Sequence, residues 1–132
     1  MNYLTKRKLE KIKRKPNQWL ENEFKEEGQC CYYCKQTIDY DSITRDHIVP
    51  KVKGGHLYRA NWVFACHPCN VAKGNLTLTQ FADLCVAGAC KYLRRIVKRK
   101  FKATKFELDK IDYFHRVMKS CNELILAKSI AI

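Results

Sequence analysis

Two short cysteine pairs constrain this chain more than any other feature. Cys31 and Cys34 are separated by two residues, Cys66 and Cys69 likewise, and 31 residues lie between the inner cysteines. A C-x-x-C turn brings two sulfurs within reach of one ion. Two such turns supply the four thiolates of tetrahedral zinc and leave no coordination position open. Such a site is structural, and it staples together the two ends of the segment it brackets. The competing reading is two unrelated or redox-active thiol pairs. Cys30 adjoins the first pair and could compete as a ligand, but the spacing of Cys31 and Cys34 is the better match. Cys85, Cys90 and Cys121 fall among apolar helical residues and read as buried thiols.

The cysteines also bear on compartment. Eight of them in 132 residues would suit disulfides in a secreted domain. Residues 1–15, however, are mostly polar and basic and lack the apolar segment of a secretory signal. The expectation is a reducing, cytoplasmic setting with zinc at Cys31, Cys34, Cys66 and Cys69. No stretch approaches the apolar length needed to span a bilayer, so no membrane partner is expected. A chain this short forms one domain, or a compact core with helical extensions, and a metal helps so small a core.

Charge narrows the partner. The net charge is +13 and it is uneven: residues 1–15 hold seven Lys or Arg against one Glu, and residues 91–105 hold eight basic residues and no acidic one. Residues 28–75 are only mildly basic, with six Lys or Arg against three Asp. Two basic runs fit a polyanion, nucleic acid first and acidic phospholipid second.

Periodicity outlines the elements. Residues 3–15 read as a basic helix or arm interrupted by Pro16. Asn17 is placed to cap a short helix with Trp19, Leu20 and Phe24 on one face, and Gly28 ends it. Residues 43–49 and 60–65 read as strands, with Pro50 and Gly54–Gly55 between them. A helix is expected to start near Cys69 and to end or bend at Gly74–Asn75. Thr79 is expected to cap a helix running towards Ala87, with Gly88 separating it from a second helix through the basic run. There Tyr92, Leu93, Ile96 and Val97 recur at helical spacing. Residues 107–128 form the clearest helix, with Leu108, Ile111, Phe114, Val117, Met118, Cys121 and Ile125 as a core-facing stripe.

Within the bracketed segment, Thr44-Arg45-Asp46-His47-Ile48-Val49-Pro50 sets a carboxylate beside an imidazole. In a regular strand these two side chains point to opposite faces, so they reach one site only where the strand ends or bulges. The pair alone is a weak signal. Its context is not: D-H-I-V-P-K, Gly54–Gly55, Asn61–Trp62, C-H-P-C-N and Lys73–Gly74 follow in order, and together they resemble the HNH nuclease family. The closest resemblance is to a subgroup with a four-cysteine zinc site and asparagine as the last motif residue. The match covers residues 31–75.

The resemblance implies an α+β fold: a small ββα-metal (His-Me finger) core with structural zinc, flanked by N- and C-terminal α-helices. The organisation is then a basic arm at 1–27, a nuclease core at 28–78 and a helical extension at 79–132. By position, His47 corresponds to the general base and Asn61 to the residue that holds the loop and orients it. Asp46 and Asn70 correspond to the ligands of one catalytic divalent ion. A carboxylate and an amide oxygen favour Mg²⁺ or Mn²⁺. The implied activity is hydrolysis of DNA phosphodiester bonds to 5′-phosphate and 3′-hydroxyl ends, by nicking in a monomer. A neutral imidazole can take the proton of attacking water while the ion offsets charge on phosphate and leaving oxygen. Arg45, Lys51 and Lys73 flank this centre as candidate phosphate contacts. Arg94, Arg95, Lys98 and Arg99 belong to a candidate DNA-docking helix. The expected partner is DNA, with a homodimer or a phage or restriction protein as further candidates, in a bacterial cell or phage-infected host. Rival readings are a zinc-stapled nucleic-acid-binding module without catalysis, a nuclease acting on RNA, and an adaptor using the last helix.

Overall fold

The computed structural model describes residues 18–128. The basic segment 3–15 and the expected cap Asn17 lie outside the described residues. The fold is α+β, with one two-stranded antiparallel sheet and four α-helices among the described residues.

Helix α1 spans Gln18–Glu26 and buries Leu20 and Phe24, which lie four residues apart on one face. Trp19, expected on that face, is 56% exposed, because one residue turns the helix by about 100°. Gly28 ends the piece in the left-handed region at φ 92°. The first cysteine turn follows, and an isolated bridge between Cys30 and Thr37 closes it.

Strand β1 is Thr44–His47 and β2 is Trp62–Ala65, paired from Thr44↔Ala65 to His47↔Trp62. Both are shorter than expected. The chain leaves the ladder after His47, three residues before Pro50, and Arg59–Asn61 winds into a 3₁₀ turn ahead of β2. Every residue of β2 is buried, because the hairpin is covered on both faces. Trp62 and Phe64 pack with Leu20, Phe24 and Ile43 on one side. Val63 and Ala65 join a larger cluster with the cysteines and the C-terminal helices on the other. The register puts Asp46 on the face of Val63 and His47 on the face of Trp62.

Helix α2, His67–Lys73, begins at Cys66, whose sulfur accepts the Cys69 N–H as an N-cap. Pro68 in its first turn needs no amide partner. Gly74 ends it. The helix thus starts two residues before Cys69, since the second cysteine turn and the cap are one structure.

Helix α3 is a single rod, Leu78–Lys98. Its cap is Thr77 rather than Thr79: Thr77 and Gln80 bond reciprocally in a capping box. Gly88 does not break it. A Cβ there would lie 2.7 Å from the Phe114 ring, so the glycine lets the next helix approach. Helix α4, Lys105–Lys128, packs along α3 and starts with Thr104 and Glu107 exchanging cap hydrogen bonds. Val117, Cys121 and Leu124 are its buried stripe. Leu108, Leu93 and Val97, expected to pack, are exposed, because each lies to the side of the α3–α4 seam. Cys90 is half-buried, unlike the fully buried Cys85 and Cys121. No helix among the described residues is long and apolar enough to cross a membrane.

Candidate metal centre and active site

The cysteine turns converge. The sulfurs of Cys31, Cys34, Cys66 and Cys69 lie within 4.8 Å of one another, and all four residues are buried. All are free thiols, and the Cys34 and Cys66 sulfurs are 3.8 Å apart. That separation is far too long for a disulfide. It matches the edge of a tetrahedron with metal–sulfur bonds of about 2.3 Å. In each turn the second cysteine's amide points at the first sulfur, at 3.5 Å. Four thiolates this close repel one another. Hydrogen bonds from Cys34, Cys66 and Cys69 hold the Cys31 thiol far below its ordinary range, and serving Cys31 pushes Cys66 and Cys69 up. A soft divalent cation would resolve that conflict by replacing shared protons. The Tyr113 hydroxyl of α4 reaches the Cys69 sulfur at 3.0 Å, which ties the C-terminal hairpin to the cluster.

Tyr33, inside the first turn, connects the cluster to the candidate site residues. Its hydroxyl donates to Asp46 Oδ2 at 2.6 Å, and its carbonyl accepts from Ser120 of α4 at 2.8 Å. Asp46 also pairs with Lys73 of α2, Nζ to Oδ2 at 3.1 Å, both side chains being buried. The same ammonium donates to the His47 carbonyl at 2.7 Å. Lys73, expected at a solvent-facing phosphate, is therefore an internal strut: an unpaired buried Asp46 would cost several kcal/mol, and Lys73 is its counter-charge. Burial pushes the Asp46 carboxyl up, and Lys73 and Tyr33 only partly offset this.

His47 is half-buried at the last position of β1. Burial first, and the nearby Lys51 charge second, hold its imidazole below the usual range. It is therefore neutral, able to accept a proton, at neutral pH. Asn61 is 5% exposed and all its amide atoms are engaged: Oδ1 accepts from the Val49 amide at 2.9 Å. Nδ2 donates to the Val49 carbonyl at 3.0 Å and the His56 carbonyl at 2.7 Å. This grip fixes the chain leaving His47 against the chain entering β2. Gly55 is required there, since a Cβ would fall 1.8 Å from the Val49 carbonyl oxygen. Asn70 is half-buried on α2, one turn before Lys73.

The basic residues divide. Arg45 is exposed beside the Trp62 ring, and Lys51 is exposed in the turn after Pro50. Arg94, Arg95 and Lys98 are exposed on the outer face of α3, with Arg95 also over the Tyr92 ring. Arg99 is not a free contact: it pairs with Glu107, whose carboxyl it lowers to about 2, and so closes the α3–α4 turn. Arg59, which carried no expectation, pairs with Glu23 and Glu27 and lies 4.0 Å above the Trp62 ring, clamping α1 to β2. Tyr33, Tyr113 and Arg59 have no motif signal, because their partners are distant in sequence.

Residues 31–84 match the family model for HNH endonuclease. A stretch of 60 residues is 38% identical to the CRISPR-associated endonuclease Cas9 of Actinomyces naeslundii; it covers 45% of this chain and 5% of that protein. These similarities support an HNH-type nuclease.

Proposed function

We propose that the chain is a metal-dependent HNH endonuclease that hydrolyses DNA phosphodiester bonds and leaves 5′-phosphate and 3′-hydroxyl ends, one strand at a time. It is read as the variant with a four-cysteine zinc staple and Asn70 as last motif residue, on a ββα-metal core made of β1, β2 and α2. One observation carries this reading. A neutral imidazole stands at the last paired position of β1, next in sequence to a buried carboxylate, and Asn61 locks the loop that follows.

The donors suit the ions. Cys31, Cys34, Cys66 and Cys69 form the soft, closed set that zinc takes in structural sites. Asp46, buried against Lys73 and Tyr33, and Asn70 would be the residues to hold a catalytic ion, and their hard oxygens would suit Mg²⁺ or Mn²⁺. When bound, such an ion would supply charge neutralisation at the phosphate and at the departing 3′ oxygen. Asp46 Oδ1, 3.5 Å from the Lys73 ammonium, is the less committed carboxylate oxygen.

His47 takes the proton from attacking water. Asn61 does not titrate, and its hydrogen bonds hold Val49 and thereby the backbone beyond His47. Arg45 and Lys51 contact phosphates near the scissile bond, and Arg94, Arg95 and Lys98 dock the flanking backbone. The partner is DNA; a second copy of the chain, or a phage or restriction protein, would coordinate cuts on both strands.

The test is incubation of supercoiled plasmid with the protein and Mg²⁺ or Mn²⁺, with an EDTA control, followed by DNA ligase. Nicked circles that appear only with the ion and reseal with ligase are expected. Nicks that ligase cannot close contradict the product chemistry, and binding without cleavage supports the zinc-stapled binding module instead.

A further inference from the structure

The turn joining α3 to α4 is built unlike an ordinary helix end. The Phe101 amide bonds to the Ile96 carbonyl at 2.9 Å and the Lys100 amide to the Val97 carbonyl at 3.0 Å. That pattern is a Schellman cap. Such caps usually place glycine at the left-handed position and fold the next apolar residue back onto the helix. Here the left-handed position is Lys100, at φ 58°, and Phe101 follows it into the same region at φ 66°. Two consecutive non-glycine residues pay for this conformation with backbone strain. The ring does not fold back: Phe101 is 78% exposed. The Arg99–Glu107 pair and the Thr104 cap brace the turn from behind. Lys98, Lys100 and Lys102, within three residues of the ring in sequence, are exposed as well.

We propose that this turn is a nucleic-acid contact in which the Phe101 ring stacks on an unpaired base while Lys98, Lys100 and Lys102 hold the adjoining phosphates. An exposed aromatic costs free energy in water and recovers it against a base face, and lysines around it select a polyanion. A paired duplex offers the phosphates but keeps its base faces stacked. The preferred ligand is therefore DNA with exposed bases, such as a single strand or a junction. This rests on the nuclease reading for its biological sense, but it is read by binding alone.

The test uses the full chain carrying His47→Ala, without added divalent ion, and fluorescence anisotropy with a labelled 20-mer as single strand and as duplex. Phe101→Ala is expected to weaken single-strand binding about tenfold and duplex binding less than about twofold. Phe101→Gly deletes the ring while relaxing the turn, so an equal loss in that more relaxed variant assigns the effect to the ring and not to misfolding. Phe101→Trp is expected to keep affinity and to show tryptophan quenching on the single strand. Lys100→Gln with Lys102→Gln lowers the salt dependence of both ligands by about one to two counterions. Unchanged single-strand affinity in Phe101→Ala and Phe101→Gly overturns the proposal, as does equal loss on the duplex. Loss of binding to phosphatidylserine vesicles with DNA binding intact also overturns it, and assigns the turn to a lipid surface. Because binding is the readout, a parent protein that fails to nick plasmid leaves this result standing.

Discussion

The cysteine-stapled core and the α3–α4 hairpin reach order by different means. In the core, short strands of four residues each are fixed by polar links: the thiol cluster, the Tyr33–Asp46–Lys73 chain and the Asn61 grip. In the hairpin, long helices are fixed by a continuous apolar seam with capping boxes at both helix starts. A polar network sets positions sharply and fails when one member is lost. An apolar seam loses stability in smaller steps. The hairpin also backs the core, through Tyr113 on Cys69 and Ser120 on the Tyr33 carbonyl. The proposed chemistry thus sits on the part held by polar geometry and is supported by the part held by burial.

Removing the staple should break this contrast most. Cys34→Ser should lose zinc and most of the core's order, because apparent structural-zinc binding energies are on the order of 10 kcal/mol. Metal analysis and thermal melting read this, and helical circular dichroism should persist in greater proportion than near-ultraviolet signal. Native-like melting without zinc would show that the core does not depend on it.

Next comes the buried strut. Lys73→Met leaves Asp46 without its counter-charge and should cost about 3 kcal/mol in urea unfolding. Adding Asp46→Asn should recover part of that loss. A double variant no better than Lys73→Met would remove the ion pair from the account. On the hairpin side, Gly88→Ala sets a methyl 2.7 Å from the Phe114 ring and should destabilise by only about 1 kcal/mol. A loss as large as that of Lys73→Met would erase the distinction between the two regions.

The smallest effect concerns pH. Burial and Lys51 hold His47 low, so the neutral base is already abundant below the ordinary histidine range of about 6.5. Nicking should rise with pH through an acid limb below that value and then level. Lys51→Gln removes a charge that disfavours the imidazolium, so the pKa and the acid limb should move up. A downward shift would contradict the assignment of that limb to His47.

Much of this was legible in the sequence. Two C-x-x-C turns predict their own convergence, since local spacing fixes each half of the cluster. The hairpin and α2 follow from apolar runs and glycine punctuation. The capping box at Thr77 was also there to read, because Gln80 stands three residues on. What was hidden depends on contacts between distant residues. Lys73 reads as a surface cation because lysine is rarely buried, and only the fold brings Asp46 to it. Gly88 reads as a break because the closeness of Phe114 is invisible in one dimension. Arg99 reads as a free charge until Thr104 and Glu107 fold the next helix start against it.

The most direct measurement is the nicking rate of supercoiled plasmid by His47→Ala beside the parent, at matched zinc content and melting temperature. A fall of about a hundredfold or more is expected, with both proteins equally folded and equally able to bind DNA. Nicking by His47→Ala at the parent rate would contradict the assignment of the base and the centre built around it.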